Sequence, residues 1–313
     1  MELTTIATPW MWAGFTLFVL AMLGLDLGVF HRDAHAVRMR EAALWSIVWI
    51  SLALAFNAWI ASAFGAQRAM EFLSGYLIEK ALAVDNVFIF LVVFSSFRIP
   101  AAYQHRVLFW GILGALVMRA VFIFAGAALL ARFHWIMYLF GAFLLLTGAK
   151  LLVQRDREPH PERNPLFRLF TRVLPSTPQL HGSHFTARID GRLVATPLLL
   201  VLVLIEVTDL VFALDSIPAI FAVTRDPFIV FTSNIFAILG LRSMFFLLAG
   251  VMHRFAYLKV GLSFVLMFVG LKMVAVDLLK IPIGVSLGVI AAILGASIFV
   301  SWLRPPQPKD AAA

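Results

Sequence analysis

Nine long apolar runs, separated by short polar connections, dominate the pattern of hydrophobic and polar positions along this chain. The runs are rich in Leu, Ile, Val, Phe and Ala without two-residue alternation, which favours helices over strands. A helix needs about 20 apolar residues to cross a bilayer core about 30 Å thick. The pattern therefore predicts nine transmembrane helices, at residues 9–30, 43–64, 72–97, 107–130, 133–153, 195–223, 228–252, 255–279 and 282–302.

The composition places this chain outside the soluble proteins. Hydrophobic residues make up 62% of the 313 residues, charged residues 13%, and the mean hydropathy is +0.95. A soluble domain is nearer to about half apolar and about a quarter charged. The chain is therefore predicted to be an all-α, polytopic membrane helix bundle in contact with the lipid bilayer. It contains no cysteine, which excludes disulfides, thiolate metal sites and thiol redox chemistry within the chain.

Basic residues lie mainly in the connections between the apolar runs. The net charge is +8, but no long basic stretch alternates with aromatic residues, so no nucleic-acid partner is expected. Alternate connections carry sixteen and four Lys and Arg residues. The positive-inside bias then places the N-terminus outside and the C-terminus in the cytoplasm. The polar segment 154–194 holds three histidines and is interpreted as a solvated cytoplasmic linker, with a regulatory or metal-sensing loop as the alternative.

Two segments of three predicted helices each, residues 70–153 and 195–280, resemble one another. In both, two acidic residues lie six positions apart near the start. Because three spans are an odd number, the second copy must enter from the opposite face, as in the inverted repeats of secondary transporters. Residues 1–64 add two N-terminal helices, and residues 281–313 add a C-terminal helix and tail. The matched positions are Glu79 with Asp209, Asp85 with Asp215, Arg119 with Arg242, and Lys150 with Lys272.

Eleven charged residues in the predicted spans are candidates for charges at membrane depth. Each costs about 2.5–3.5 kcal/mol at a helix centre on insertion scales, so each must face a partner or water. For the bases, we favour buried ion pairs that lock helices together. For the acids, we favour a functional site, because they concentrate on two helices that the repeat makes equivalent. The acids are Asp26, Glu79, Asp85, Glu206, Asp209 and Asp215, and the bases are Lys80, Arg119, Lys150, Arg242 and Lys272.

Helical geometry places several of these polar residues on common faces. Glu79 and Asn86 share one face of the third predicted helix. In the sixth, Glu206, Asp209 and Ser216 share a face. The second acid of each pair lies about 120° away from the first.

Proline and asparagine residues interrupt the apolar spans at further positions. Pro218 lacks a backbone donor and is predicted to kink or unwind its helix, freeing the Leu214 carbonyl and turning Asp215 toward the other acids. Asn57 and Asn234 are polar at membrane depth, and Asn57 could equally form an interhelical hydrogen bond.

Carboxylate, amide and hydroxyl groups form an all-oxygen set of candidate ligands. Such oxygens suit the hard cations Mg²⁺, Ca²⁺ and Mn²⁺ better than copper or zinc. Supporting or counter-charge roles are expected for Asp26, Asn57, Arg119, Lys150, Asn234, Arg242 and Lys272. The predicted metal-binding residues are Glu79, Asp85, Asn86, Glu206, Asp209, Asp215 and Ser216.

Long motifs in the chain resemble those of the TerC family. Residues 75–88 (GYLIEKALAVDNVF) are similar to its first signature and residues 206–228 (EVTDLVFALDSIPAIFAVTRDPF) to its second. Residues 103–115, 141–148 and 232–242 continue the match. Within the family, the chain is most similar to the Alx branch.

The resemblance implies a bacterial inner-membrane protein, grouped with LysE-type exporters and associated with Mn²⁺ efflux. It also implies the older descriptions of this family, which refer to tellurium resistance and to membrane-bound redox modulation. It would place the functional acids at Asp85 and Asp215, with the other predicted metal-binding residues around them. Manganese(II) is expected as the transported ion, and no tightly bound cofactor is expected.

The leading hypothesis is therefore a divalent-metal exporter that works by alternating access around the two acidic helices. A membrane-embedded redox or stress modulator, or a factor for metal loading of other proteins, is the alternative. An intramembrane enzyme is not expected, because the chain lacks GxGD and HExxH motifs. Whether the chain forms a homo-oligomer or binds another membrane protein is left open.

Overall fold

The computed structural model describes residues 5–28, 39–133, 135–153, 175–189, 191–249, 257–278 and 281–303, without the side chains of residues 26–28, 85, 88 and 259. Within these ranges the chain forms ten α-helices and one β-hairpin, and each predicted apolar run overlaps at least one helix. The helices are α1 Pro9–Gly28, α2 Met39–Phe64, α3 Ala66–Ser96, α4 Ala101–Arg132, α5 Ile136–Val153, α6 Pro197–Phe221, α7 Pro227–Leu239, α8 Leu241–Ala249, α9 Leu258–Val274 and α10 Ile283–Leu303.

Proline and glycine mark several helix boundaries. Helices α1, α6 and α7 begin at Pro9, Pro197 and Pro227, where the missing amide proton costs no helical hydrogen bond. Asp226 precedes α7 and its carboxylate accepts a hydrogen bond from the Phe228 amide at 2.9 Å. Helices α2 and α3 are separated only by residue 65, a glycine with φ of 90°.

The polar segment between α5 and α6 contains a regular element that the sequence interpretation did not predict. Strand β1 (Thr186–Ile189) pairs antiparallel with β2 (Arg192–Ala195) across a turn in which Gly191 has φ of 77°. The hairpin leads directly into α6. Residues 154–174 of the predicted linker, with His160, and the tail from residue 304 lie outside the described residues.

Five helices are long and apolar enough to cross a membrane: α2, α4, α5, α6 and α10. Helices α7 and α8, bent by 41° at residue 240, provide a sixth span when they are counted as one. The apolar parts of α1 and α9 are shorter, and α3 carries five charged residues in its 31. The described part of the chain therefore has five or six spans by length and composition, and the predicted count of nine is not confirmed.

Helix α10 illustrates which side of a helix faces lipid. It buries Ser286 and Ser301, while Phe299 is 59% exposed and Trp302 is 74% exposed. A water-soluble helix would reverse this distribution, because its apolar side chains would pack inward. The exposed aromatic surface fits contact with the lipid bilayer.

The centre of the bundle is built from α3, α6 and α7. Helix α3 packs against both α6 and α7, and α4 packs along α6. Every residue of α7 except Phe231 is buried, so this short helix is surrounded on all sides. Helices α1, α2 and α8 flank one side of this centre, while α5, α9 and α10 form a second group.

Helices α5 and α9 approach closely through glycine. A Cβ atom on Gly270 would lie 2.8 Å from the Gly141 carbonyl oxygen, and one on Gly148 would lie 2.8 Å from the Ser263 carbonyl oxygen. As the residue number increases along α5, the number of the contacting residue on α9 decreases, so the two helices run antiparallel. The absence of side chains at these positions allows the backbones to touch.

The seventh predicted span is broken, whereas the sixth is not. Helix α6 remains helical through Pro218 and ends at Phe221, so the predicted unwinding is wrong: only one turn follows the proline, and its backbone remains helical. The break occurs instead at Gly240, between α7 and α8. There the Lys80 ammonium donates to the Ala237 carbonyl at 3.0 Å.

Candidate functional site at a buried arginine

Arg119, in the second half of α4, lies at the centre of a buried polar group. Only 1% of its surface is exposed. Its Nη1 donates to the Glu79 carboxylate, to Ser216 Oγ at 3.0 Å and to Asn234 Oδ1 at 3.0 Å. Its Nη2 and Nε donate to the two carboxylate oxygens of Asp209, at 3.1 and 3.4 Å. The guanidinium therefore binds groups on α3, α6 and α7 at once.

Two asparagines complete this group. Asn234 Nδ2 donates to Glu79 Oε2 at 3.2 Å, and Asn86 Nδ2 donates to Asp209 Oδ1 at 3.4 Å. The Asn86 Oδ1 atom is buried and has no hydrogen-bond partner among the described residues. All six residues are at most 3% exposed. We call this set, Glu79, Asn86, Arg119, Asp209, Ser216 and Asn234, the Arg119 cluster.

The spacing of polar residues explains why the cluster forms. Glu79 and Asn86 are seven residues apart on α3, and Asp209 and Ser216 are seven apart on α6, so each pair lies on one helix face. The prediction that these four residues share faces is confirmed. Their two faces meet across the α3–α6 interface, as the Asn86–Asp209 hydrogen bond shows.

Glu206 belongs to the predicted metal-binding set but not to the cluster. Its carboxylate lies against the backbone of α4, where a Cβ on Gly114 would come within 2.1 Å of its Oε1. The side chain is half-buried. Among the described side chains, none donates a hydrogen bond to it. The glycine at position 114, inside an apolar helix, is the sequence signal that could have revealed this close approach.

The second acid of the second predicted pair, Asp215, is also separate from the cluster. Asp215 is half-buried, within hydrogen-bonding reach of Thr147 and close to Lys150. It therefore faces α5, and Pro218 does not turn it toward the other acids. The side chains of Asp85 and Asp26 lie outside the described residues.

The remaining predicted supporting residues occupy different places. Arg242, the repeat counterpart of Arg119, is buried in α8. Lys272 donates to Ser286 Oγ at 3.0 Å, which joins α9 to α10. Asn57 is half-buried, and its Oδ1 has no hydrogen-bond partner in the described part of the chain.

Two cavities, of about 650 and 460 Å³, are lined mostly by apolar residues of α5, α9 and α10 and of α1, α2 and α7, and neither reaches the cluster. Among the described side chains, no three His, Cys, Asp or Glu residues converge as a metal site would require. The predicted preference of the bases for ion pairs is confirmed at Arg119, which bonds Glu79 and Asp209.

The fold and its charged centre define a class of protein. A bundle of apolar helices, with lipid-compatible outer faces and an arginine bound to two carboxylates in its interior, is a multi-pass integral membrane protein. Residues 64–309 match the family model described as integral membrane protein TerC family. The chain belongs to the TerC family, which confirms the resemblance of its motifs.

Relatives match over nearly the whole chain. It is 61% identical to the uncharacterised membrane protein STKORF319 of Myxococcus xanthus, over 98% of both chains. It is 51% identical to the Alx protein of Escherichia coli K12, named as a proposed membrane-bound redox modulator, over 98% of this chain and 99% of the relative. An uncharacterised membrane protein of Rickettsia bellii is 40% identical over 94% of this chain and 97% of its own. No solved structure matches the chain.

Proposed function

We propose that this TerC-family protein exports a divalent metal cation, with manganese as the preferred cargo, across the bacterial inner membrane. The observation that carries the proposal is the set of five oxygen atoms that bind the Arg119 guanidinium. They come from two carboxylates, one hydroxyl and one amide, the donor types that Mg²⁺, Ca²⁺ and Mn²⁺ prefer. The protein interior thus holds the positive charge of Arg119 with oxygen atoms of the types that coordinate hard metal ions.

The packing of α5 on α9 supports an inverted repeat. In the sequence match, Gly141 corresponds to Ser263, and Gly148 corresponds to Gly270. The contact of Gly141 with Gly270 therefore has its counterpart in the contact of Gly148 with Ser263. Antiparallel helices with exchanged contacts are expected of two copies related by a two-fold axis in the membrane plane. Secondary transporters with this symmetry bind substrate near the midplane, between the repeats.

The central helices fit the same symmetry. Helices α3 and α6, the first helices of the two repeats, pack against each other. Helix α3 also packs against α7, and α6 packs against α4, so each first helix contacts the second helix of the opposite repeat. The Arg119 cluster lies where these four helices meet. Alternating access would proceed by movement of one repeat against the other around this point.

Export requires a source of energy. Moving a divalent cation outward against 100 mV, inside negative, costs about 4.6 kcal/mol. Proton entry is the simplest driving reaction, because carboxylates that bind a metal can release protons. In this scheme the N-terminus lies outside and the C-terminus in the cytoplasm. Manganese is a cargo rather than a cofactor, and the protein catalyses no chemical reaction.

The direct test is Mn²⁺ flux into and out of liposomes that contain the purified full-length chain. We expect wild-type flux to increase when a pH gradient is imposed. Asp85→Asn and Asp215→Asn should abolish flux while leaving expression intact. Arg188→Gln, at an exposed position of the hairpin, is the control and should transport like wild type. Absence of Mn²⁺ flux in the wild type contradicts the proposal, and equal rates with and without the gradient reject proton coupling.

The name of the Escherichia coli relative favours a second candidate, a membrane-embedded modulator of redox or stress responses. A metal-loading factor belongs to the same class. Because the sequence contains no cysteine, thiol chemistry would have to be supplied by a partner protein. This candidate predicts a stable membrane partner and negligible flux by the purified chain, so the liposome assay separates the two functions.

A further inference from the structure

Arg119 occupies the place that the proposed function requires for a cargo ion. All three guanidinium nitrogens donate to the surrounding oxygens, and these oxygens come from α3, α6 and α7. The guanidinium lies between these oxygens, so a metal ion cannot occupy the same position and contact all of them. A metal ion can therefore bind here only if the guanidinium leaves.

The charges of the cluster favour such an exchange for a divalent ion. With both carboxylates ionised, Glu79, Asp209 and Arg119 together carry one net negative charge. A divalent cation in place of the guanidinium makes the centre neutral. A monovalent cation leaves the net charge unchanged, and it must still break the hydrogen bonds to Arg119. Because uncompensated charge is costly away from water, only the divalent ion gains from the exchange.

Glu206 is placed to receive the displaced guanidinium. It lies one turn before Asp209 on α6, and its carboxylate contacts α4 at Gly114. Long side chains on a helix point toward its N-terminal end, so Arg119 naturally reaches toward the turn that contains Gly114. The step from Asp209 to Glu206 is about 4.5 Å along the α6 axis, within the range of a flexible arginine.

We propose that Arg119 is a tethered competitor of the transported cation. Its guanidinium fills the oxygen cage in the metal-free protein, and it moves to Glu206 when a divalent cation enters. This inference rests on the proposed function, since it assigns that function its cation site and the residue that determines selectivity. Arg119 selects against monovalent cations because their binding does not neutralise the net charge of the centre and so does not offset the loss of the Arg119 hydrogen bonds.

The first test is Mn²⁺ binding to the purified full-length chain in detergent, followed by the electron paramagnetic resonance signal of free Mn²⁺. Arg119→Gln removes the competitor and should bind Mn²⁺ at least about tenfold more tightly, the change expected for one charge-assisted hydrogen bond that no longer has to be broken. Arg188→Gln removes a positive charge elsewhere and should bind like wild type. Equal or weaker binding by folded Arg119→Gln overturns the proposal.

Arg119→Gln leaves two buried carboxylates without their partner, so its folding is checked by size-exclusion chromatography. Arg119→Lys provides a second route, because an ammonium keeps the charge but cannot bridge the same five oxygens as a planar guanidinium can. It should bind Mn²⁺ more tightly than wild type and less tightly than Arg119→Gln. Wild-type affinity in Arg119→Lys contradicts the competitor role.

The role of Glu206 is tested by a double-mutant cycle. Glu206→Gln should weaken Mn²⁺ binding in the wild type, because the displaced guanidinium loses its acceptor. In the Arg119→Gln background the same change should have no effect. If Glu206→Gln weakens binding equally in both backgrounds, Glu206 is a metal ligand and the proposed movement of Arg119 is wrong.

Selectivity gives an independent measurement. Replacing choline chloride by sodium chloride at constant ionic strength should weaken Mn²⁺ binding to Arg119→Gln and leave the wild type unchanged. Sodium sensitivity in both proteins, or in neither, contradicts the selectivity role. These binding results are separate from transport: wild-type liposomes without Mn²⁺ flux would reject export, whereas the affinities of the variants decide whether Arg119 competes.

Discussion

The close approach of α5 and α9 yields a measurable prediction for Gly270→Ala. The added Cβ would lie 2.8 Å from the Gly141 oxygen, 2.9 Å from the Leu145 nitrogen and 3.0 Å from Leu145 Cγ. Ordinary contacts begin at 3.4 Å, so the backbones must separate by about 0.6 Å, the difference from 2.8 Å. Overpacking of this kind costs about 1–3 kcal/mol. Gly148→Ala, at the equivalent position of the other repeat, should cost a similar amount.

Gly288→Ala in α10 is the matched control, because nothing lies within 4 Å of the atom it adds. It should be neutral or stabilise the helix by at most about 1 kcal/mol. Equilibrium unfolding in denaturing detergent, followed by the fluorescence of the eight tryptophans, gives the free energies. Gly270→Ala and Gly148→Ala should both be less stable than the control. If Gly270→Ala is as stable as Gly288→Ala, the helices do not touch at this crossing and the exchanged contacts do not exist.

Three further substitutions test other polar contacts by the same unfolding assay. Asp226→Ala removes the cap that accepts from Phe228 N and should destabilise the protein by about 0.5–2 kcal/mol; unchanged stability would show that the cap contributes nothing. Glu71→Gln weakens a buried acceptor that Thr224 bonds at 2.7 Å and should cost about 1–3 kcal/mol, so a stabilised variant would contradict this contact. Asn57→Leu removes an acceptor without a described partner and should preserve or raise stability; loss of Mn²⁺ flux in a stable variant would instead place Asn57 on the ion path.

Local patterns in the sequence predicted the class of protein and part of the site. Apolar runs predicted membrane helices because the length and composition of a span are local properties. The seven-residue spacing predicted that Glu79 and Asn86 share a face and that Asp209 and Ser216 do the same. These predictions are confirmed because the period of an α-helix alone determines which residues share a face. The metal-binding role of these residues stays a prediction.

Contacts between distant parts of the chain could not be predicted in the same way. The break at Gly240 lies inside a continuous apolar run, and Lys80, 157 residues from Ala237, binds the carbonyl beside it. Pro218, a strong local signal, predicted an interruption that does not occur. Similarly, the repeat alone did not place Arg119 rather than Arg242 between the two acidic helices. Which of two equivalent arginines enters the centre depends on how four helices pack, and that information is not local.

The position of Arg119 also bears on how cation entry and movement of the repeats could be coupled. It lies on the first repeat and binds Asp209, Ser216 and Asn234 of the second. Separating the repeats with the guanidinium in place would leave buried charges unpaired, at a cost of about 3–5 kcal/mol for a broken pair. A divalent ion that displaces the guanidinium keeps the carboxylates compensated and releases α4 from Asp209. In the proposed exchange, the entry of the cation thus moves the Arg119 contact by about one turn along α6, from Asp209 to Glu206, and so changes the pairing between the repeats without leaving a buried charge unpaired.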